Sequence, residues 1–119
     1  MMSQIAIDWP AQPLWPNRKA HWAKNRTARA AQRSAAFFIA KAAGWEKPAH
    51  PVHEVRVSMT FCGPSKTSRF DLDGALSAMK GAIDGLSACL GVDDSLFSYT
   101  LRRGDKAKGG AVIVSVEVA

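Results

Sequence analysis

Two hydrophobic periods alternate along the chain, and the switches between them outline a fold. Ile5 and Ile7 stand against Gln4, Ala6 and Asp8, a two-residue period that predicts a short strand over 4–9 with one buried face. Pro10, Pro13 and Pro16 forbid a ladder over the next stretch, which therefore reads as a loop. From Arg18 to Ala43 there is neither Gly nor Pro, alanine is abundant, and Gly44 follows as a stop. A helix is predicted there, capped by Asn17 or, if its first turns are loop, by Asn25 or Thr27. Ala28, Ala31, Ala35, Phe38 and Ala42 step by three and four and predict its buried stripe, while Trp22, Arg26, Arg29 and Arg33 take the same spacing on another face.

After a connector punctuated by Pro48 and Pro51, the two-residue period returns in 53–61, with Val55, Val57, Met59 and Phe61 on one side and Arg56, Ser58 and Thr60 on the other. His50 and His53, at its start, have no carboxylate cluster beside them and read as surface residues. Gly63–Ser68 is a polar loop. Then Leu76, Met79, Ile83, Leu86 and Leu90, at alternating steps of three and four, predict one amphipathic helix ending at Gly91. Leu96–Arg103 is strand-like, and Ala111–Val118 alternates through Val112, Val114, Val116 and Val118. Joined by the turn at Gly104–Gly110, these two segments predict a closing hairpin. The expected fold is α+β, a single domain over 1–119 in the order β-α-β-α-β-β, with two helices packed on a small mixed sheet.

Composition narrows what such a domain can be. At 119 residues, 47% of them hydrophobic, the chain suits one compact core and is too short for two ordinary domains. No apolar run approaches the ~20 residues that span a bilayer, and the N-terminus has no basic and apolar leader, so a soluble, cytoplasmic protein is expected. Cys62 and Cys89 have no metal-ligand spacing, which makes them buried thiols rather than zinc ligands.

Charge sharpens this reading through its placement. The net charge is +6, and residues 1–50 carry all of it, with eight basic and two acidic side chains; residues 51–119 are balanced. A basic half beside a neutral, aspartate-bearing half points to a surface for a polyanion and a separate site for cations. Arg18, Lys19, His21, Lys24, Arg26, Arg29, Arg33, Lys66 and Arg69 are the candidate DNA contacts, with Trp22 or His21 available to pack on sugar or base. A solvated helix face accounts for the same residues equally well.

The candidate chemistry lies in two aspartate pairs, Asp71/Asp73 and Asp93/Asp94, on either side of the helix that carries Lys80. Mg²⁺ takes oxygen ligands and keeps several waters, so two or three carboxylates and a substrate phosphate make a sufficient site, with a lysine to neutralise developing charge. On one continuous helix Asp73 and Lys80 share a face two turns, ~10.5 Å, apart. The plainer reading is that Asp71 and Asp73 cap the helix and favour its positive end.

Asp71-Leu-Asp73, Leu76, Lys80, Ile83-Asp84-Gly85-Leu86 and Gly91-Val92-Asp93-Asp94-Ser95, together with Pro16, Asn17, His21 and Trp22 near the start, resemble in order and spacing the signature of the RusA-type Holliday-junction resolvases. Many members of that family are encoded by phages and prophages. The resemblance spans most of the chain. It implies a homodimeric, Mg²⁺-dependent endonuclease of DNA recombination and repair that resolves four-way junctions by paired nicks. It further implies Asp71, Asp73 and Asp94 as metal ligands, Asp93 as a supporting acid and Lys80 as the catalytic or phosphate-neutralising lysine. It implies no small-molecule cofactor besides the metal, and no membrane. Two positions depart from the pattern. Gly74 stands where the family usually has Asn, and the Asp73-to-Lys80 spacing matches only the members with a longer helix start; in the shorter form the lysine's position falls on Ser77. The alternatives are a basic DNA- or RNA-binding protein whose site has decayed, and a structural protein in which the aspartates only cap.

Overall fold

A computed structural model describes residues 2–16, 22–65 and 69–119. Within them the strands are β1 (Ile5–Asp8), β2 (Val55–Cys62), β3 (Phe97–Arg103) and β4 (Ala111–Val118), and the α-helices are α1 (Trp22–Ala42), α2 (Leu72–Ala78) and α3 (Lys80–Leu90). The fold class is α+β, a single domain around one mixed sheet of order β1-β4-β2-β3. Each strand forms where the alternation lies. Ile5, Ile7, Val55, Val57, Met59, Phe61, Val112, Val114 and Val116 are all buried, and they meet Met79, Ile83, Leu86 and Leu90 from the helices.

The closing hairpin is not formed. β2 lies between β3 and β4, antiparallel to β4 and parallel to β3, with Val57 opposite both Val116 and Tyr99. The reason is burial. β4 alternates cleanly and pairs on both sides, with β1 and β2, whereas β3 buries only Phe97 and so sits at the edge. Parallel pairing of β2 and β3 requires a crossover, and the helical stretch 72–90 supplies it.

That stretch is two helices instead of one, so the order is β-α-β-α-α-β-β with three helices. It breaks at Met79, whose backbone leaves the helical region at φ −99° and ψ 8°. Buried Gln32 of α1 stands at the break. In a continuous helix the Ala82 N–H would bond the Ala78 carbonyl. Here the Ala82 N–H donates to Gln32 Oε1 at 3.0 Å, and Gln32 Nε2 donates to the Ala78 carbonyl at 3.1 Å. A side chain inserted into the ladder is a recognised cause of a kink.

Gln32 also marks the true inner face of α1. Gln32, Ala36 and Ala40 are buried, while Ala31, Ala35, Ala42 and Phe38 of the predicted stripe are exposed, Phe38 at 64%. With alanine on every face of this helix, apolar spacing could not choose among them. Backbone proximity chose, because Gly81 and Gly85 of α3 let the two helices touch. α1 closes as predicted at Gly44, in the left-handed region at φ 88°, with Gly44 N–H bonded to the Lys41 carbonyl and Trp45 N–H to that of Ala40. Trp45, in the expected connector, is fully buried. Cys62 and Cys89 are free thiols, Cys89 buried and Cys62 half-buried. Among the described residues no helix is long and apolar enough to cross a membrane.

Candidate nucleic-acid and metal-binding site

The crossover that pairs β2 with β3 also distributes the acids. The chain enters α2 near the end of β2 and returns to its start before β3, so Asp71/Asp73 and Asp93/Asp94 stand at opposite ends of the α2–α3 stretch. Three grooves hold the candidates Arg29, Arg69, Asp71, Lys80 and Asp94, a fourth hollow borders Asp93, and Asp73 lines none of the three.

The first groove brings together residues far apart in sequence. Arg29 of α1, Lys80 and Asp84 of α3, Asp94 and Tyr99 line a cavity of about 350 Å³ floored by Leu76 and Ile83. Arg29 Nη2 pairs with Asp84 Oδ2 at 3.1 Å, a surface ion pair of small energetic worth that nevertheless orients the guanidinium. Partial burial pushes the Tyr99 phenol above its ordinary value of 10, and the charges of Asp94 and then Asp84 push it further. Arg29 and Lys80 also line a second cavity of about 370 Å³ with Trp22, Asn25 and Ser77. Asn25 is no cap; it lies inside α1, and its Nδ2 donates to the Pro13 carbonyl at 2.7 Å, tying the proline loop to the helix. Ser77 and Lys80 therefore border the same space.

Asp71 faces elsewhere. It precedes α2 with extended backbone and makes no capping hydrogen bond through its side chain. With Arg69, Trp9, Trp15, Phe70 and Gly74 it lines a cavity of about 570 Å³. Asp73, exposed in the first turn of α2, lines none of these three cavities. The break at Met79 also removes the continuous register that would have put Asp73 and Lys80 on one face. Asp93 does cap: its Oδ1 accepts from the Ser95 N–H at 2.8 Å, which lowers its pKa below the usual carboxylate value. It borders a different hollow from Asp94, with Lys47 and His50.

Among the described residues, no three His, Cys, Asp or Glu side chains lie together as a metal cage. Asp94, Asp71 and Asp73 are exposed oxygen donors presented singly. Of the basic candidates, Lys24, Arg26, Arg29, Arg33 and Arg69 are exposed, with Arg26 set over the Trp22 ring at 5.3 Å. Arg18, Lys19, His21 and Lys66, and the expected cap Asn17, lie outside the described residues. His50 and His53 are exposed, as their sequence setting predicts.

Sequence reasoning missed Tyr99, Gln32 and the aromatic cavity. The tryptophans at 9 and 15, set among prolines, were the available signal for the last of these. No protein-family model matches the chain, and no curated protein matches it. The family likeness rests on the residues quoted for it.

Proposed function

We propose that this protein is a Mg²⁺-dependent, structure-selective endonuclease that acts as a homodimer on branched DNA, four-way junctions included. The observation that carries the reading is the groove in which Arg29, Lys80 and Asp94 meet. It combines two cations for phosphate with a carboxylate for a metal, at the foot of a helix whose exposed face is basic. Lys80 and Arg29 neutralise a phosphate seated there, and Asp84 keeps Arg29 turned toward it. Asp94 would hold the ion in this groove, which neither Asp71 nor Asp73 lines. When bound, Mg²⁺ supplies a polarised phosphate oxygen and an activated water. Arg26 and Arg33, on the same stripe as Arg29, extend the phosphate track along α1.

The test is nicking of a synthetic four-way junction in Mg²⁺ and in EDTA. Wild type should nick only in Mg²⁺, and Asp94→Asn and Lys80→Ala should each lower the rate by about a hundredfold or more. Nicking that persists at the wild-type rate in Asp94→Asn would overturn the mechanism. Salt-sensitive DNA binding without cleavage in any divalent metal would leave the decayed DNA-binding protein as the correct reading.

A further inference from the structure

We propose that the cavity between Trp9, Trp15 and Phe70 receives one unpaired DNA base, and that the missing side chain at Gly74 holds it open. This rests on the nuclease reading above and specifies how that site selects branched or single-stranded DNA.

The cavity has the size and chemistry of a site for a planar heteroaromatic ring. Its volume of about 570 Å³ falls within the range of small-ligand pockets. Trp9, Trp15 and Phe70 are all half-buried and meet at angles instead of stacking on one another. Trp9 and Trp15 have centroids 5.6 Å apart with planes tilted by 35°, and Phe70 stands at 72° to Trp9 and 60° to Trp15. None of these pairs is stacked in parallel, and every base has a π-face to lay against an aromatic ring. The walls are also fixed in place. Trp15 Nε1 donates to the Pro10 carbonyl at 3.1 Å. Arg103, which lies outside the cavity, donates to the Phe70 carbonyl at 2.9 Å and sits 5.4 Å from its ring. A rigid aromatic box takes a ring without first having to be ordered.

The rim explains why the ligand is a nucleotide in a strand. Arg69 lines the mouth and is exposed, so it can pair with the phosphate attached to the bound base. Asp71 lines the same cavity, which places that phosphate next to a candidate metal-binding carboxylate. A fully stacked duplex cannot offer a base to the box, whereas a branch point or a frayed strand can, at low unstacking cost.

Gly74 supplies the opening. Its backbone is not in the left-handed region, so conformation does not demand glycine, and a helix is weakened by it. A Cβ built at 74 would meet only Pro16 Cγ, at 3.8 Å. Pro16 and Gly74 both line the cavity, so any longer side chain at 74 would grow into the space the base needs.

The experiment measures binding in EDTA, followed by tryptophan fluorescence, of short single-stranded oligonucleotides that are identical except for a central base or an abasic site. Wild type should bind the base-bearing strand at least tenfold more tightly than the abasic one, and Gly74→Leu should erase that difference while its circular dichroism and melting remain native-like. Gly74→Asn, with a shorter side chain, replaces Leu if Leu unfolds the protein. Equal affinity for the two strands in wild type, or an undiminished difference in the Gly74 variant that folds, overturns the proposal. Binding of deoxynucleoside monophosphate as tight as that of the strand overturns the DNA source of the base. Junction nicking in Mg²⁺ is scored separately. Nicking without a base preference removes the pocket and leaves the nuclease, and a base preference without nicking does the reverse.

Discussion

The seam between α1 and α3 and the aromatic cavity beside α2 are both built around glycine, for opposite reasons. At the seam, a Cβ on Gly81 would lie 2.7 Å from the Arg29 carbonyl oxygen, and one on Gly85 would collide with the carbonyl oxygen of Arg33. Glycine there removes bulk so that two backbones can touch. At Gly74, glycine removes bulk and nothing fills the space. The first arrangement makes a rigid frame, and the frame carries Arg29 to Asp84 and so shapes the groove with Lys80 and Asp94. The second leaves a hole at the other end of the same helical stretch. Close packing holds the charged groove, and open space serves the aromatic one.

Breaking the seam should have the largest effect. Gly85→Ala forces a methyl against the backbone of Arg33 and the Cβ of Ala36, where neither helix can yield locally, so it should cost about 3 kcal/mol or more of unfolding free energy, at or above the upper end of ordinary overpacking. Urea denaturation measures it. A loss under about 0.5 kcal/mol, the level of a surface substitution, would mean that the helices part easily and that the groove is not held by the seam.

How far the sequence foretold these two regions depends on what each residue type reveals. Where alternating valines and isoleucines meet a polar partner face, as in β2 and β4, burial was legible strand by strand, because only one register keeps them from water. The α3 core face was legible for the same reason. α1 was not: its many alanines carry almost no hydrophobic contrast, and its key inward residue, Gln32, is polar because it replaces a broken backbone bond in another helix. The hairpin failed because turn residues fix where a chain reverses without fixing which strand it returns beside. In the candidate site, Lys80 and Asp94 were named from sequence and do share a groove. Arg29, their groove partner, was picked out only as one cation among many. The separation of Asp71 from Asp94 follows from the parallel pairing of β2 with β3, which no local pattern encodes.

A smaller effect of opposite sign tests the other side of the comparison. Gly74→Ala places a methyl 3.8 Å from Pro16 Cγ, an ordinary contact, in the first turn of α2. Alanine restricts the unfolded chain and favours helix, so the variant should be more stable than wild type by about 0.5–1 kcal/mol. The same substitution would then stabilise at 74 and destabilise at 85. A destabilised Gly74→Ala would show instead that position 74 is as crowded as the seam.

The smallest effect probes whether the seam holds the groove closely enough for its charges to interact. Tyr99 is the only tyrosine of the chain, so its ionisation can be followed alone by ultraviolet absorbance. Its pKa is raised first by partial burial and then by Asp94 and Asp84, which oppose a phenolate beside them. Asp94→Asn removes one of those charges. The Tyr99 pKa should then fall toward its ordinary value of 10 yet stay above it, because the burial remains. The sign carries over to stability. A phenol with a raised folded-state pKa favours the native state below its unfolded value, and that contribution is lost as pH climbs through the folded value. Wild type should therefore lose more stability than Asp94→Asn as pH is raised above 10, and raising the salt concentration should shrink the difference, as it does for exposed charges. An unchanged Tyr99 titration in Asp94→Asn would separate the two side chains and remove Asp94 from the groove on which the nuclease reading depends.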